Sequence, residues 1–242
     1  MLPAMWVFPL AAAALALAFA SLLLRQLLAR HRSHQAFWAI ALLMYAAASL
    51  ALFLGVINGW TSAEYRVYWL FGAVLNVPFL AQGEIQLLVR NRPVTAALVV
   101  LLVFGTAFAL ARVRTAQIDP AALIRDLPLG KEVFRNDPFA LDLARYFAFP
   151  AYFILLAGTL WSALRMRRAP ELRNRFLGTL GIAIGATIVA AGSAFAATGS
   201  FVGFSLTLTV GIGVMFWGFL RASRHGLPHP QAEPPKGVGR SA

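Results

Sequence analysis

Apolar runs long enough to cross a bilayer recur seven times along the chain, separated by short polar segments. A spanning helix needs roughly 20 such residues. The runs fall at about Ala4–Leu28, Ala36–Ile57, Val67–Val89, Pro93–Ala111, Pro138–Leu164, Phe176–Ala197 and Phe201–Leu220. The pattern predicts an all-α polytopic transmembrane bundle of seven helices, one domain over residues 1–221. Asp137–Pro138 supplies an N-cap and first-turn pair for the fifth helix. Only Ala-Thr-Gly-Ser joins the sixth to the seventh, which makes those two antiparallel neighbours.

The third run stands apart. Within Tyr65–Arg92 it carries Asn76, Pro78, Gln82, Glu84 and Gln86, and Glu84 is the only acid in the runs apart from Asp142, which sits in the first turns of the fifth near the surface. Hydrocarbon cannot solvate an ionisable group, so such a residue marks a candidate site. At 100° per residue Asn76 and Glu84 lie about 80° apart and share a side with Gly72 and Leu80. Gln82 and Gln86 fall on another face, toward the cytoplasmic end. Pro78 removes one backbone hydrogen bond, which predicts a kink and a freed carbonyl near Val74. Two readings of Glu84 follow. In the plainer one it pairs with a rim arginine such as Arg90, about 9 Å along the axis, or hydrogen-bonds a neighbouring helix. In the sharper one Glu84 and Asn76, with Gln82 and Gln86, handle a ligand, a proton or an ion.

Outside the runs, the sizeable piece is a loop at about Val113–Leu141. Asp119–Pro120 starts a short helix in it, and Pro128 with Gly130 ends that helix. Ala121, Leu123, Ile124 and Leu127 then either lie on the membrane surface or cap the bundle's mouth. Residues 222–242, rich in Pro and Gly, read as a disordered cytoplasmic tail with no output domain.

Composition agrees with a membrane protein: 60% of the 242 residues are hydrophobic and 12% charged, with mean hydropathy +0.72. A soluble domain has about a quarter charged residues. The net charge of +12 does not indicate nucleic acid, because the basic residues sit between apolar runs rather than on one polar face. Their distribution instead sets orientation. One set of ends carries 14 Arg and Lys, the other 7, of which the six from Arg112 to Arg145 are nearly balanced by five acids. This predicts an N-terminus outside and a C-terminus in the cytoplasm of a multi-pass inner (cytoplasmic) membrane protein. The opening residues lack a basic n-region, so the first run is expected to stay as a helix.

The remaining candidates have structural explanations. Gly178, Gly181, Gly185 and Gly192, with Gly211 and Gly218, form small-residue stripes that allow close helix packing in lipid. Arg165, Arg167, Arg168, Arg173 and Arg175 form a dense patch that sets topology and would attract anionic lipid headgroups. Trp60, Tyr65, Tyr68 and Trp69 lie where an aromatic belt is expected. Pro9, Pro78 and Pro150 place proline in three odd-numbered helices, which loosens their packing. The chain has no cysteine, its four histidines all lie outside the apolar runs, and the seventh run has no lysine. No cofactor and no metal site is expected, since thiolate sites, a bis-histidine haem and a retinal Schiff base all lack their residues.

In topology the chain resembles the N-terminal seven-helix sensor regions of some bacterial histidine kinases. In YWLFGAVLNVPFLAQGEIQLL and GVMFWGFLRA it also looks like uncharacterised bacterial seven-helix integral membrane proteins. The resemblance implies a sensor-like or accessory protein, without supplying a catalytic motif. The leading expectation is a non-enzymatic membrane protein whose partners, besides the bilayer, are a small apolar ligand, a lipid or a helical membrane-protein partner. The site would be a bundle cavity bordered by the third helix. The alternatives are a small proton-coupled permease using Glu84 and, third, an intramembrane enzyme acting on lipid.

Overall fold

The computed structural model describes residues 5–167 and 172–223. Among them the chain is helical with no strand. In order it forms α1 (Val7–Arg30), α2 (Ser33–Asn58), α3 (Ser62–Val67), a π segment (Tyr68–Leu75) and α4 (Asn76–Leu88). These are followed by α5 (Arg92–Thr115), a 3₁₀ turn (Pro120–Ile124), α6 (Gly130–Val133), α7 (Pro138–Met166), α8 (Arg173–Thr198) and α9 (Phe201–Ser223). Six of these (α1, α2, α5, α7, α8 and α9) are long and apolar enough to cross a membrane. The molecule is therefore a multi-pass helical bundle of the membrane type. The expected tail falls mostly at 224–242, outside the described residues.

The third predicted run is the exception. It is built from three consecutive helical pieces of 6, 8 and 13 residues rather than one α-helix. The irregularity expected at Pro78 is the π segment just before it. Pro78 has no N–H for the Val74 carbonyl, and a π segment is a common way for a helix to accommodate a disturbed hydrogen-bond ladder. At its start α3 is fixed by a capping box. Thr61 Oγ1 accepts from the Glu64 N–H at 3.2 Å, and Glu64 Oε2 accepts from the Thr61 N–H at 2.9 Å.

Side-chain-to-backbone bonds pin the helices at several depths. Asn76 Nδ2 donates to the Ala41 carbonyl at 2.7 Å and Trp38 Nε1 to that of Leu80 at 3.1 Å, joining α4 to α2. Tyr45 Oη donates to the Leu208 carbonyl at 2.8 Å, joining α2 to α9. Thr209 Oγ1 reaches the Phe8 carbonyl at 2.8 Å, joining α9 to α1. Most of these carbonyls belong to helix interiors, so the donors add bonds where water is absent.

The α8–α9 connection turns at Gly199, whose φ of +73° suits glycine. Asp137 caps α7, its Oδ1 accepting from the Ala140 N–H at 3.3 Å. Gly130 begins α6 instead of ending the helix started by Asp119–Pro120. That first helix is a single 3₁₀ turn finished at Ile124, and Leu129 then caps a second turn.

Candidate functional site

The α3–π–α4 segment borders a cavity of about 660 Å³ at the loop end of the bundle. From this segment Tyr65, Tyr68, Trp69, Gly72, Asn76 and Leu80 line it. These positions follow one face across the π segment, so the widened backbone is itself a cavity wall. The volume lies in the roughly 300–1,000 Å³ range of small-molecule sites. Its surface is mainly apolar, with a few polar atoms. Tyr65 is fully buried and its hydroxyl has no hydrogen-bond partner among the described residues. Ser49 and Tyr68, also buried, line the cavity, and their hydroxyls make no side-chain hydrogen bond among the described residues. Asn76 spends its Nδ2 on Ala41, which leaves Oδ1 beside the cavity. A buried polar atom without a partner costs about 1–3 kcal/mol, so these atoms are candidates to meet a ligand.

The long loop covers the cavity. Leu123, Leu127 and Leu129 are buried against the bundle, and Pro128, Leu129, Gly130 and Lys131 line the cavity's roof. Of the four residues considered for a cap, Leu123 and Leu127 point inward and Ile124 is 86% exposed. Trp60 Nε1 donates to the Asp126 carbonyl and Trp69 Nε1 to that of Ala140, both at 3.1 Å. The Asp119 N–H donates to the Val133 carbonyl at 2.9 Å, closing the loop on itself.

This overturns the aromatic-belt expectation. Trp60, Tyr65 and Tyr68 are buried, and with Trp69 and Phe134 they form an aromatic cluster under the loop. Their amphipathic tips do find polar partners or the cavity, but inside the protein. The sequence could not distinguish a belt from a lid, because that depends on where the loop folds back.

Opposite α3–π–α4, the cavity runs between α7 and α8. Arg145, Phe149 and Tyr152 on α7 face Ala186, Ala190, Ser193 and Ala197 on α8 across it. The α8 residues recur at i, i+4, i+7 and i+11, one helix face made only of small side chains. Sequence reasoning missed this face because the neighbouring glycine stripe drew the attention; the same small-residue spacing was the available signal.

Glu84 lies outside this cavity, behind Leu80. It is buried, with 3% exposure, and has no hydrogen bond or ion pair among the described residues. The expected pairing with Arg90 is therefore absent. Instead Glu84 packs on α7: a Cβ added at Gly158 would stand 2.6 Å from its Cγ and 3.1 Å from its Oε1. Asn76 and Glu84 thus do not form one site, since Asn76 faces α2 and the cavity while Glu84 faces Gly158. Gln82, also buried, has no partner for its Nε2 among the described residues, and Gln86 Oε1 accepts from Ser33 Oγ at 3.2 Å. Gly83 lets the ring of Trp38 lie against the backbone between them.

The placement of Glu84 gives a direct test. Glu84→Gln keeps the shape and replaces an ionisable group that has no counter-charge among the described residues by a neutral amide, which is less costly to bury, so it should raise thermal stability by about 1–3 kcal/mol. Melting of the purified protein in detergent measures this. A fall in stability would mean that the carboxylate has a partner the packing conceals.

The six glycines all lie in the α8–α9 pairing. A Cβ at Gly178 or Gly218 would fall 2.5 Å from the other's carbonyl oxygen, one at Gly185 2.6 Å from that of Gly211, and one at Gly181 3.1 Å from the Gly218 Cα. Gly192 meets Thr207 Oγ1 at 2.5 Å. Arg165, Arg167, Arg173 and Arg175 are exposed at the opposite end of the bundle, Arg165 over the ring of Trp161 at 4.8 Å. Arg168 lies outside the described residues.

Fold and site together define a helical membrane protein with a lidded, mainly apolar cavity. Comparison with protein-family models, curated proteins and solved structures returns no match.

Proposed function

We propose that the protein is a non-enzymatic, sensor-like or accessory protein of the inner membrane that holds a small apolar ligand or lipid in the cavity beside helix three. The observation that carries this reading is the cavity itself: about 660 Å³, roofed by a folded loop and lined by the Tyr65 hydroxyl, which has no partner among the described residues. Packed interiors leave few voids larger than a water molecule, so an opening of this size calls for an occupant. Its buried polar atoms are hydroxyls and an amide, suited to hydrogen bonding with a ligand, and its charged side chains (Lys131, Asp142 and Arg145) come from the loop and the first turns of α7. Glu84 sits behind the cavity wall, so ligand binding is favoured over a proton-coupled permease. Native mass spectrometry of the protein, extracted mildly from membranes, should show a retained small molecule. A bare polypeptide mass under every mild extraction would sink the reading.

The same proposal includes seven spans, with the N-terminus outside and the C-terminus cytoplasmic. Residues 62–88 are helical without a gap, about 40 Å at 1.5 Å per residue, enough to cross. The basic residues gather at the end opposite the loop. Because the chain has no cysteine, single replacements report sidedness cleanly. Ile124→Cys should react with a membrane-impermeant maleimide in intact cells, and Arg92→Cys only after permeabilisation. The reverse pattern would invert the topology.

A further inference from the structure

The cavity has a cationic rim and a side opening, and together these specify its ligand more closely. We infer that it takes a single-chain lipid with a carboxylate headgroup, a free fatty acid, entering from the bilayer between α7 and α8. The inference rests on the cavity-binding reading above and names its substrate class.

The side opening follows from which lining residues are exposed. Phe149 and Phe153 on α7 line the cavity yet are 61% and 60% exposed. Across from them Ser193 and Ala197 on α8 also line it and are exposed. The cavity therefore reaches the surface between these two helices, on a face that is apolar and borders hydrocarbon. Tyr152 Oη donates to Thr187 Oγ1 at 3.1 Å, which ties α7 to α8 and forms an edge of the gap. Above that edge, small side chains on α8 cannot fill the space opposite Phe149. Pro150 removes one hydrogen bond from α7 at the same level. A ligand drawn through this gap passes from lipid to cavity without crossing water.

Charge is confined to the outer end. Among the described residues, Lys131, Asp142 and Arg145 are the charged ones lining the cavity. Asp142 holds Arg145 through one contact, Nη1 to Oδ1 at 3.1 Å, and leaves the rest of the guanidinium fork free. Lys131 is exposed and has no ion pair among the described residues. Two cations against one carboxylate give the rim a net positive charge next to an apolar chamber. An amphiphile with an anionic head and an apolar tail matches this arrangement, since the head meets Lys131 and Arg145 while the tail lies along Leu42, Val77 and Leu80. The chamber has room for one chain. A second chain of a diacyl lipid would stay in the bilayer.

The test uses the purified full chain in neutral detergent with palmitic acid bearing a diazirine near its chain end. After photolysis, labelled peptides are mapped by mass spectrometry. Labelling is expected on Tyr68–Val77 and on Ala186–Ala197. Unlabelled palmitate should compete at about tenfold lower concentration than monopalmitoylglycerol, the worth of one charge-assisted contact. In a Lys131→Gln/Arg145→Gln variant the two competitors should become equal, whereas Arg135→Gln, a loop cation away from the cavity, should change nothing. Ala190→Phe should block the gap and abolish cavity labelling.

Several results would overturn the inference in separable ways. Equal competition in the unaltered protein would defeat the carboxylate head and leave cavity binding standing. Undiminished labelling in Ala190→Phe, with its native melting temperature retained, would defeat lateral entry. Labelling confined to lipid-facing residues such as Val100 and Phe104 on α5, without competition, would defeat the cavity-binding reading too.

Discussion

Gly218→Ala should destabilise the bundle by about 1–3 kcal/mol, although it adds a single methyl group. At this position a Cβ would stand 2.5 Å from the Gly178 carbonyl oxygen, 2.9 Å from the Ile182 nitrogen and 3.1 Å from the Gly181 carbonyl carbon. All three are backbone atoms, so no rotamer change relieves the clash; α8 and α9 must move apart. Lipid tails are as apolar as the side chains, so helix pairs in a membrane hold by close packing rather than by escape from water. Losing that approach removes contacts along the whole pair, including Gly185 against Gly211. The control lies in the same helix. Gly213→Ala would meet only Leu15 Cδ1, at 3.9 Å, and should be neutral or slightly stabilising, because alanine restricts the unfolded chain. Thermal unfolding followed by circular dichroism separates the two, at roughly 2–4 °C per kcal/mol for a chain of this size. An equal fall in both variants would show that glycine is not required for close approach.

The α8–α9 glycines were legible in the sequence because their cause is local. A seven-residue spacing puts small residues on one helix face whatever that face meets. The apolar runs and the Asp137 cap were legible for the same reason, since length and first-turn chemistry set them. Features that depend on tertiary placement were not. Nothing in Trp60, Tyr65 and Tyr68 distinguishes rings anchored in a lipid interface from rings beneath a folded loop. Only the return of Leu123, Leu127 and Phe134 over the bundle decides it. Glu84 shows the same limit. Helical angles put it within about 80° of Asn76, yet that spread is enough for Asn76 to meet α2 while Glu84 meets Gly158 on α7, and the cavity's α4 lining ends at Leu80, one turn short of the carboxylate. Proline at 78 signalled that the helix is disturbed there, without specifying the form of the disturbance.

The loop's role as a lid leads to the second large effect, at Phe134. Phe134→Ala should cost about 3–5 kcal/mol, and the cost should fall on the loop before the membrane helices. The side chain is 1% exposed and packs against Trp69 at 5.2 Å and Tyr65 at 5.8 Å between ring centroids. It is the loop's contribution to that aromatic cluster, whose other members belong to α3, the π segment and, as Trp60, the turn between α2 and α3. The bonds from Trp69 to Ala140 and from Arg66 to Val113 and Ala116 hold the loop's flanks. Deleting the Phe134 ring therefore leaves residues 119–134 tied to the bundle by one side-chain hydrogen bond among the described residues, Trp60 to Asp126, worth roughly 0.5–1.5 kcal/mol net. That is less than the loss, so the loop should open while the helices, held by their own pairings, stay folded. Hydrogen exchange should then rise at residues 119–134 and remain slow in α8 and α9. The retained ligand should be lost in the same variant, because Pro128, Leu129 and Lys131 roof the cavity only while the loop is closed. A cooperative fall in melting temperature with no selective exchange in the loop would contradict this. Phe134 would then be a core residue like any other, and the loop an inseparable part of the bundle rather than a cover over its cavity.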